Sequence, residues 1–238
     1  DGPLANALEL HNLAVCADDL RVQFVTMWSA LESLTAVVQG PTIISRVTNL
    51  LVPIVTWRRL EKEVRYLAIN VRLWRAAANL ERVRVTGLPN ARRNTVAAED
   101  VLLAVTRPAD HDDITSILSH VAPHPLLLWR TYATWKVFHD PRILSDDTAR
   151  ARERLTWHLW RIYRARNLLV HSGLETPLLS HLLSHLSFYL TTVISRLLHR
   201  VTHDATLNAT NAAAHWVGLS NRVSDQLVRS PATLTVGD

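Results

Sequence analysis

Asp147-Thr-Ala-Arg-Ala-Arg-Glu-Arg-Leu155-Thr-Trp-His-Leu159-Trp-Arg-Ile162-Tyr-Arg-Ala-Arg166-Asn167-Leu-Leu-Val-His171-Ser-Gly173 is the stretch on which the fold turns. Its apolar Leu155, Leu159, Ile162 and Leu169 recur with the spacing of one helix face, so it reads as a helix from about Asp147. Arg166 falls on the same stripe. A guanidinium facing a core must meet a carboxylate, a phosphate or a cavity, because burying it unpaired costs several kcal/mol. Asn167 and His171 are four apart and share a neighbouring face, which Arg164 extends one turn back and which an arginine side chain is long enough to reach. Ser172-Gly173 reads as the helix stop, and Thr176-Pro177 as the N-cap and first residue of the next helix. His171 therefore occupies a last helical turn, where exposed carbonyls favour a cation. An arginine and a histidine five residues apart at such a helix end can bind and cleave a phosphodiester.

Working outward, helical patterns fill almost the whole chain and no strand pattern emerges. An opening segment, 4–16, precedes a helix from about Asp18 to Gln39 carrying Leu20, Phe24, Met27, Trp28, Leu31, Leu34 and Val38. Gly40-Pro41 ends it and Thr42 caps the next, which Pro53 should kink or divide before a second run over 54–80. Gly87-Leu88-Pro89-Asn90 is the clearest loop. Residues of about 85–147, broken by Arg107-Pro108, Pro123-His124-Pro125 and Asp140-Pro141, read as an insertion or cap of shorter helices. The stretch containing Arg166 and a helix over 177–201 then form a hairpin. The organisation expected is all-α: one helical domain over 1–219 and a flexible tail over 220–238. Trp28, Trp57, Trp74, Trp157 and Trp160 sit within apolar patterns and read as core.

Composition narrows the function classes. The 238 residues carry a formal net charge of +5, with lysine only at Lys62 and Lys136 and the remaining basic residues arginine. This balance suits an anionic partner such as a nucleic acid. Cys16 is the sole cysteine, which excludes an intrachain disulfide and a cysteine metal cluster. No run of about 18 apolar residues and no charged-then-apolar leader occurs, so the expectation is a cytoplasmic protein without a membrane partner. The start at Asp1 without methionine fits a chain trimmed or excised from something longer. No Gly-rich phosphate loop supports use of ATP or GTP.

Phe24-Val-Thr-Met-Trp28-Ser-Ala-Leu-Glu32-Ser-Leu early in the chain, followed by Ile162-Tyr-Arg-Ala-Arg166-Asn167-Leu-Leu-Val-His171-Ser-Gly173, resembles the HEPN superfamily, in particular its Apea-like branch of bacterial defence proteins. The hallmark of that superfamily is an arginine, four to six residues, then a histidine, often with a polar residue directly after the arginine. Here four residues intervene and Asn167 is the polar one. The resemblance spans about 18–60 and 150–200, roughly half the chain. It implies a HEPN-like helical bundle and a metal-independent endoribonuclease of a defence or toxin–antitoxin system, needing no cofactor. Arg166 would bind phosphate, His171 exchange the proton and Asn167 orient one of them. Glu32 would hold Arg166, with Tyr163 and Arg164 lining the cleft. A homodimer with a composite active site is implied, as is an antitoxin or sensor domain as partner. The alternative function is a non-catalytic HEPN module that binds RNA, a nucleotide or a partner protein.

Plainer roles compete at each residue. Arg166 with Glu32 can be a structural ion pair, His171 can cap helix carbonyls, and Tyr163 can serve packing alone. The pairs His181/His185 and His199/His203 have the spacing of shared metal ligands, but no third ligand accompanies them. Asp110-His111-Asp112-Asp113 reads as a solvated helix start. Asn208-Ala209-Thr210 matches a glycosylation acceptor in a chain with no sign of secretion.

Overall fold

The computed structural model describes residues 2–77, 111–204 and 208–229; among them are eight α-helices, a short 3-10 turn over Thr35–Val37 and no strand, so the fold is all-α. We number the helices α1 Pro3–Cys16, α2 Leu20–Leu34, α3 Ile43–Ala77, α4 His111–Val121, α5 Pro125–His139, α6 Pro141–Ser172, α7 Leu179–His203 and α8 Ala209–Arg229. No helix among the described residues is long and apolar enough to cross a membrane.

Helix starts follow local chemistry. The Asp19 carboxylate accepts from Arg21 N (2.7 Å) and Val22 N (3.4 Å), capping α2. The Arg21 guanidinium and these backbone bonds hold that carboxyl down at about 2. Thr42 and Ser45 cap α3 reciprocally, Ser45 N donating to Thr42 Oγ1 (3.2 Å) and Thr42 N to Ser45 Oγ (2.9 Å), a capping box with serine in the usual glutamate place. Gly40 is required beside it, since a Cβ there would lie 2.7 Å from Ser45 Oγ. Asp140-Pro141 turns out to be a helix start, not merely a break: Asp140 Oδ1 accepts from Arg142 N (2.9 Å) and proline takes the first turn, where its missing N–H is no loss. The helix carrying Arg166 therefore begins six residues before the expected Asp147.

Other expectations shift for equally local reasons. α2 ends at Leu34 and tightens into the 3-10 turn instead of running to Gln39. α3 runs through Pro53 undivided, with Pro53 buried between Val52 and Ile54, so packing there outweighs the lost backbone bond. Thr176 caps a turn, with Leu178 N to Thr176 Oγ1 at 3.4 Å, and α7 starts only at Leu179. α8 continues to Arg229, so 220–229 of the expected flexible tail is helical; the sequence offers no glycine or proline there until Pro231. Gly87-Leu88-Pro89-Asn90, Arg107-Pro108 and Asp110 lie outside the described residues.

The chain divides into two compact units, Asp1–Arg58 with Arg150–Arg222, and Arg59–Ala149 with Val223–Asp238. In the first, α1 packs on α2 and α2 on α7. Phe24, Trp28 and Leu31 of α2, Leu50, Leu51 and Ile54 of α3, Leu159 and Ile162 of α6, and Leu186, Leu190 and Val193 of α7 form its core. Each such side chain, removed from water, contributes about 1.5–3 kcal/mol. In the second unit, Leu60, Val64, Leu67 and Val71 of α3 pack with Ile114, Ile117 and Val121 of α4, Leu127 and Phe138 of α5 and Leu144 of α6. There Arg59 bridges Glu63 (3.1 Å) and Asp147 (2.7 Å). The described part of the expected insertion, 111–147, consists of α4, α5 and the start of α6.

Candidate functional site

Arg166 is reached through α2. The stripe Leu155, Leu159, Ile162 and Ala165 seats α6 in the core, and Arg166, half-buried, continues the same stripe toward the end of the helix. Its Nη2 lies 3.8 Å from Glu32 Oε1 on α2, an ion pair beyond hydrogen-bond length. Its Nη1 donates to the Oδ1 of Asn167 at 3.2 Å, and its Nε is buried without a partner. Glu32 is itself held by Trp28, one turn back on α2, whose Nε1–H donates to Glu32 Oε1 at 2.5 Å. That oxygen is spent on the indole, which leaves the guanidinium positioned but incompletely satisfied. A cation in this state can take an anionic oxygen without first giving up a strong partner.

Tyr163 packs its ring 5.6 Å from Trp28 and 6.0 Å from Trp160, so it belongs to an aromatic series running from the surface to the Glu32 anchor. Arg164 and His171 are exposed. His171 stands in the last turn of α6, which Gly173 closes with φ +64° and a bond from its N to Leu169 O (3.1 Å); only a residue free of a Cβ adopts that conformation without strain. The structure thus brings together Arg166, Asn167, Glu32 and Tyr163. Among the described residues His171 makes no hydrogen bond with any of them. Arg166 and His171 are five positions apart, about 140° round a helix, so the two side chains leave α6 on different sides.

Two features escape a reading of the sequence. Trp28 anchors Glu32, and the signal for it is the spacing of four, which lets an indole N–H reach a carboxylate on its own helix. His158, on the buried side of α6, meets α7: its Nδ1 is 2.8 Å from Tyr189 Oη and its ring lies edge-on to His185 at 4.6 Å. Burial, His185 and Arg161 lower the His158 pKa, which favours the neutral ring beside the Tyr189 hydroxyl. Of the five tryptophans expected in the core, Trp28 is fully buried and Trp57 and Trp74 partly so, whereas Trp157 is 65% and Trp160 39% exposed. Trp157 leaves α6 opposite the side of Leu159 and Ile162, and Trp160 about 100° round from Leu159.

No group of three or more potential metal ligands occurs among the described residues. His203 Nδ1 sits 2.8 Å from the His199 carbonyl, closing the last turn of α7. Asn208 Oδ1 accepts from Asn211 N at 2.9 Å and so caps α8.

No family model, curated protein or solved structure matches the chain.

Proposed function

We propose that this protein is a metal-independent endoribonuclease of a bacterial defence or toxin–antitoxin system, acting as a HEPN-type homodimer. The observation that carries the reading is the state of Arg166: held 3.8 Å from Glu32, bonded to Asn167, with a buried Nε left unpartnered, five residues before an exposed His171. The likeness of the segments around Glu32 and Arg166 to HEPN proteins supports it.

In this reading the fork of Arg166 binds two non-bridging oxygens of one phosphate and offsets the charge that gathers there as the reaction proceeds. The ribose 2′-oxygen attacks the adjacent phosphorus, giving its proton to a histidine. The bond to the 5′-oxygen breaks and that oxygen takes a proton from an acid. The products are a 2′,3′-cyclic phosphate and a 5′-hydroxyl. One chain supplies one such histidine, whereas a base and an acid are wanted, so a second copy completes the site. Leu168, Val170, Leu174 and Leu178, all exposed around His171, give the apolar surface such an association needs.

Incubation of the purified protein with total RNA in EDTA, followed by mapping of the ends, tests the proposal. Cyclic phosphates and 5′-hydroxyls are expected; intact RNA, or 5′-phosphate ends, would overturn it.

A further inference from the structure

The outer side of α6 carries an arrangement that the cleavage chemistry alone does not require. Trp157 and Trp160 project there with 65% and 39% of their surfaces in water, and Arg161 and Arg164 follow on the same side, each exposed and without an ion pair to any described residue. Asn167 and His171 continue the line. From Trp157 to His171 the strip is about 21 Å long at 1.5 Å per residue. Between Glu153 and Glu175 the chain has no acidic residue, while Arg154, Arg161, Arg164 and Arg166 fall within that interval.

Large indoles left in water on a face of unpaired cations call for a partner that offers flat apolar surfaces and negative charge together. Unpaired nucleotides do both: each base has a face to stack, and each linkage has a phosphate for an arginine. Duplex RNA hides its base faces, and its narrow major groove is closed to side chains. A second copy of the 157–164 part of the strip would bring arginine against arginine across a two-fold axis, so charge argues against self-association on that part, short of the apolar surface around His171.

The strip is also joined to the candidate site. Trp160 meets Tyr163, Tyr163 meets Trp28, Trp28 holds Glu32, and Glu32 faces Arg166. We propose that the outer side of α6 is a track for single-stranded RNA, with Trp157 and Trp160 as stacking platforms and Arg161 and Arg164 binding phosphates, leading the strand to His171 and, round the helix past Tyr163, toward Arg166. This inference rests on the proposed ribonuclease activity and names the substrate class of the same site.

Fluorescence anisotropy with an uncleavable 2′-O-methyl oligonucleotide, single-stranded or annealed to its complement, provides the test. The parent should favour the single strand at least tenfold. Trp157→Ala and Trp160→Ala should each weaken binding by about tenfold, the lower range for loss of one base stack. Replacing Arg161 and Arg164 by glutamine should reduce the slope of log affinity against log salt by about 0.7 for each phosphate no longer neutralised. Trp157 has no ring partner among the described residues, so its variant should keep the parent's melting temperature; Trp160→Ala is read only alongside its own melt. Parent-like binding by both tryptophan variants, or equal affinity for duplex, overturns the track. So does a tryptophan variant that turns a dimer into a monomer while its RNA affinity stands. Cleavage of the dinucleoside uridylyl-adenosine by the parent serves as a separate control. Cleavage without tryptophan-dependent binding removes the track and keeps the nuclease, whereas tryptophan-dependent binding without any cleavage removes the nuclease and keeps the track.

Discussion

On the inner side of α6 stand Leu155, Leu159, Ile162 and Ala165, each under a tenth exposed, while the outer side of the same turns carries Trp157, Trp160, Arg161, Arg164 and His171 in water. Both sides contain large apolar residues, yet only one is covered. Burial of the inner stripe anchors the helix against α2 and α7, and the outer side is left free to carry charge and flat rings outside the core. Arg166 continues the inner stripe half-buried, with its guanidinium turned to Glu32. Substitutions on the two sides should therefore separate, the outer ones altering activity and the inner ones stability.

The largest expected effect lies at the ends of the motif. His171→Ala should lower cleavage by about 10²–10⁴-fold, the usual scale for loss of a proton-transfer group, with the melting temperature nearly unchanged because the side chain is exposed. Arg166→Ala should match it, and Arg166→Lys should fail to restore activity, since an ammonium lacks the planar fork. Full activity in the lysine variant would show that charge alone suffices. Excess His171→Ala chains mixed into the parent should depress activity more steeply than dilution does; a simple dilution curve would rule out a site shared by two chains.

On the inner side, Ile162→Ala should destabilise by about 2–5 kcal/mol, because its side chain is fully buried and the space cannot be refilled. Its exposed neighbour Arg164→Gln should change stability by no more than about 0.5 kcal/mol. Urea titrations of the two variants decide the matter, and similar midpoints would erase the distinction between the sides.

Glu32→Gln comes next. The pair with Arg166 is long, at 3.8 Å, and both side chains keep over a fifth of their surface in water. The variant also retains an oxygen for the Trp28 indole. A stability loss of about 1 kcal/mol is expected on that account, well short of the cost of breaking a fully buried pair. Activity should fall further than stability, because the guanidinium loses the charge that aims it. An active variant with parent kinetics would reduce Glu32 to a packing residue.

How much of this is legible in the sequence depends on whether a signal is periodic or individual. The inner stripe of α6, the cap at Thr42 and the stop at Gly173 follow from spacing and residue type, and the all-α fold follows with them. The closeness of Glu32 and Arg166 rests on two segments far apart in sequence and on a likeness, since no local rule links α2 to α6. Trp157 and Trp160 defeat an expectation that weighs size over angle: Trp157 lies two residues from Leu155, about 200° round the helix and thus on its far side. Asp140-Pro141 is ambiguous because proline opens helices as readily as it interrupts them, and only the bonds to Asp140 Oδ1 distinguish the two. The hydrogen bond from Trp28 to Glu32 is open to discovery, though an indole so deep in an apolar pattern gives no separate sign of its N–H.

The smallest effect belongs to pH and tests the inner side alone. His158 is half-buried there against Tyr189 and His185, and burial, His185 and Arg161 lower its pKa from the ordinary 6.5. The unfolded chain then binds a proton more readily than the folded one, so stability rises with pH wherever only the unfolded histidine is protonated. The contribution is fully present above 6.5 and is lost as pH falls from there through the lowered folded value. Melting temperatures measured between pH 7.5 and 5 should fall for the parent, and His158→Gln should flatten that fall. Some slope should persist in the variant, because burial and the charges of Arg200 and Arg222 shift His215 the same way. Adding His215→Gln should flatten it again. Should His158→Gln lose stability with pH as steeply as the parent, then the contact between α6 and α7 does not sense protons, and the inner side of the helix is held by its apolar stripe alone.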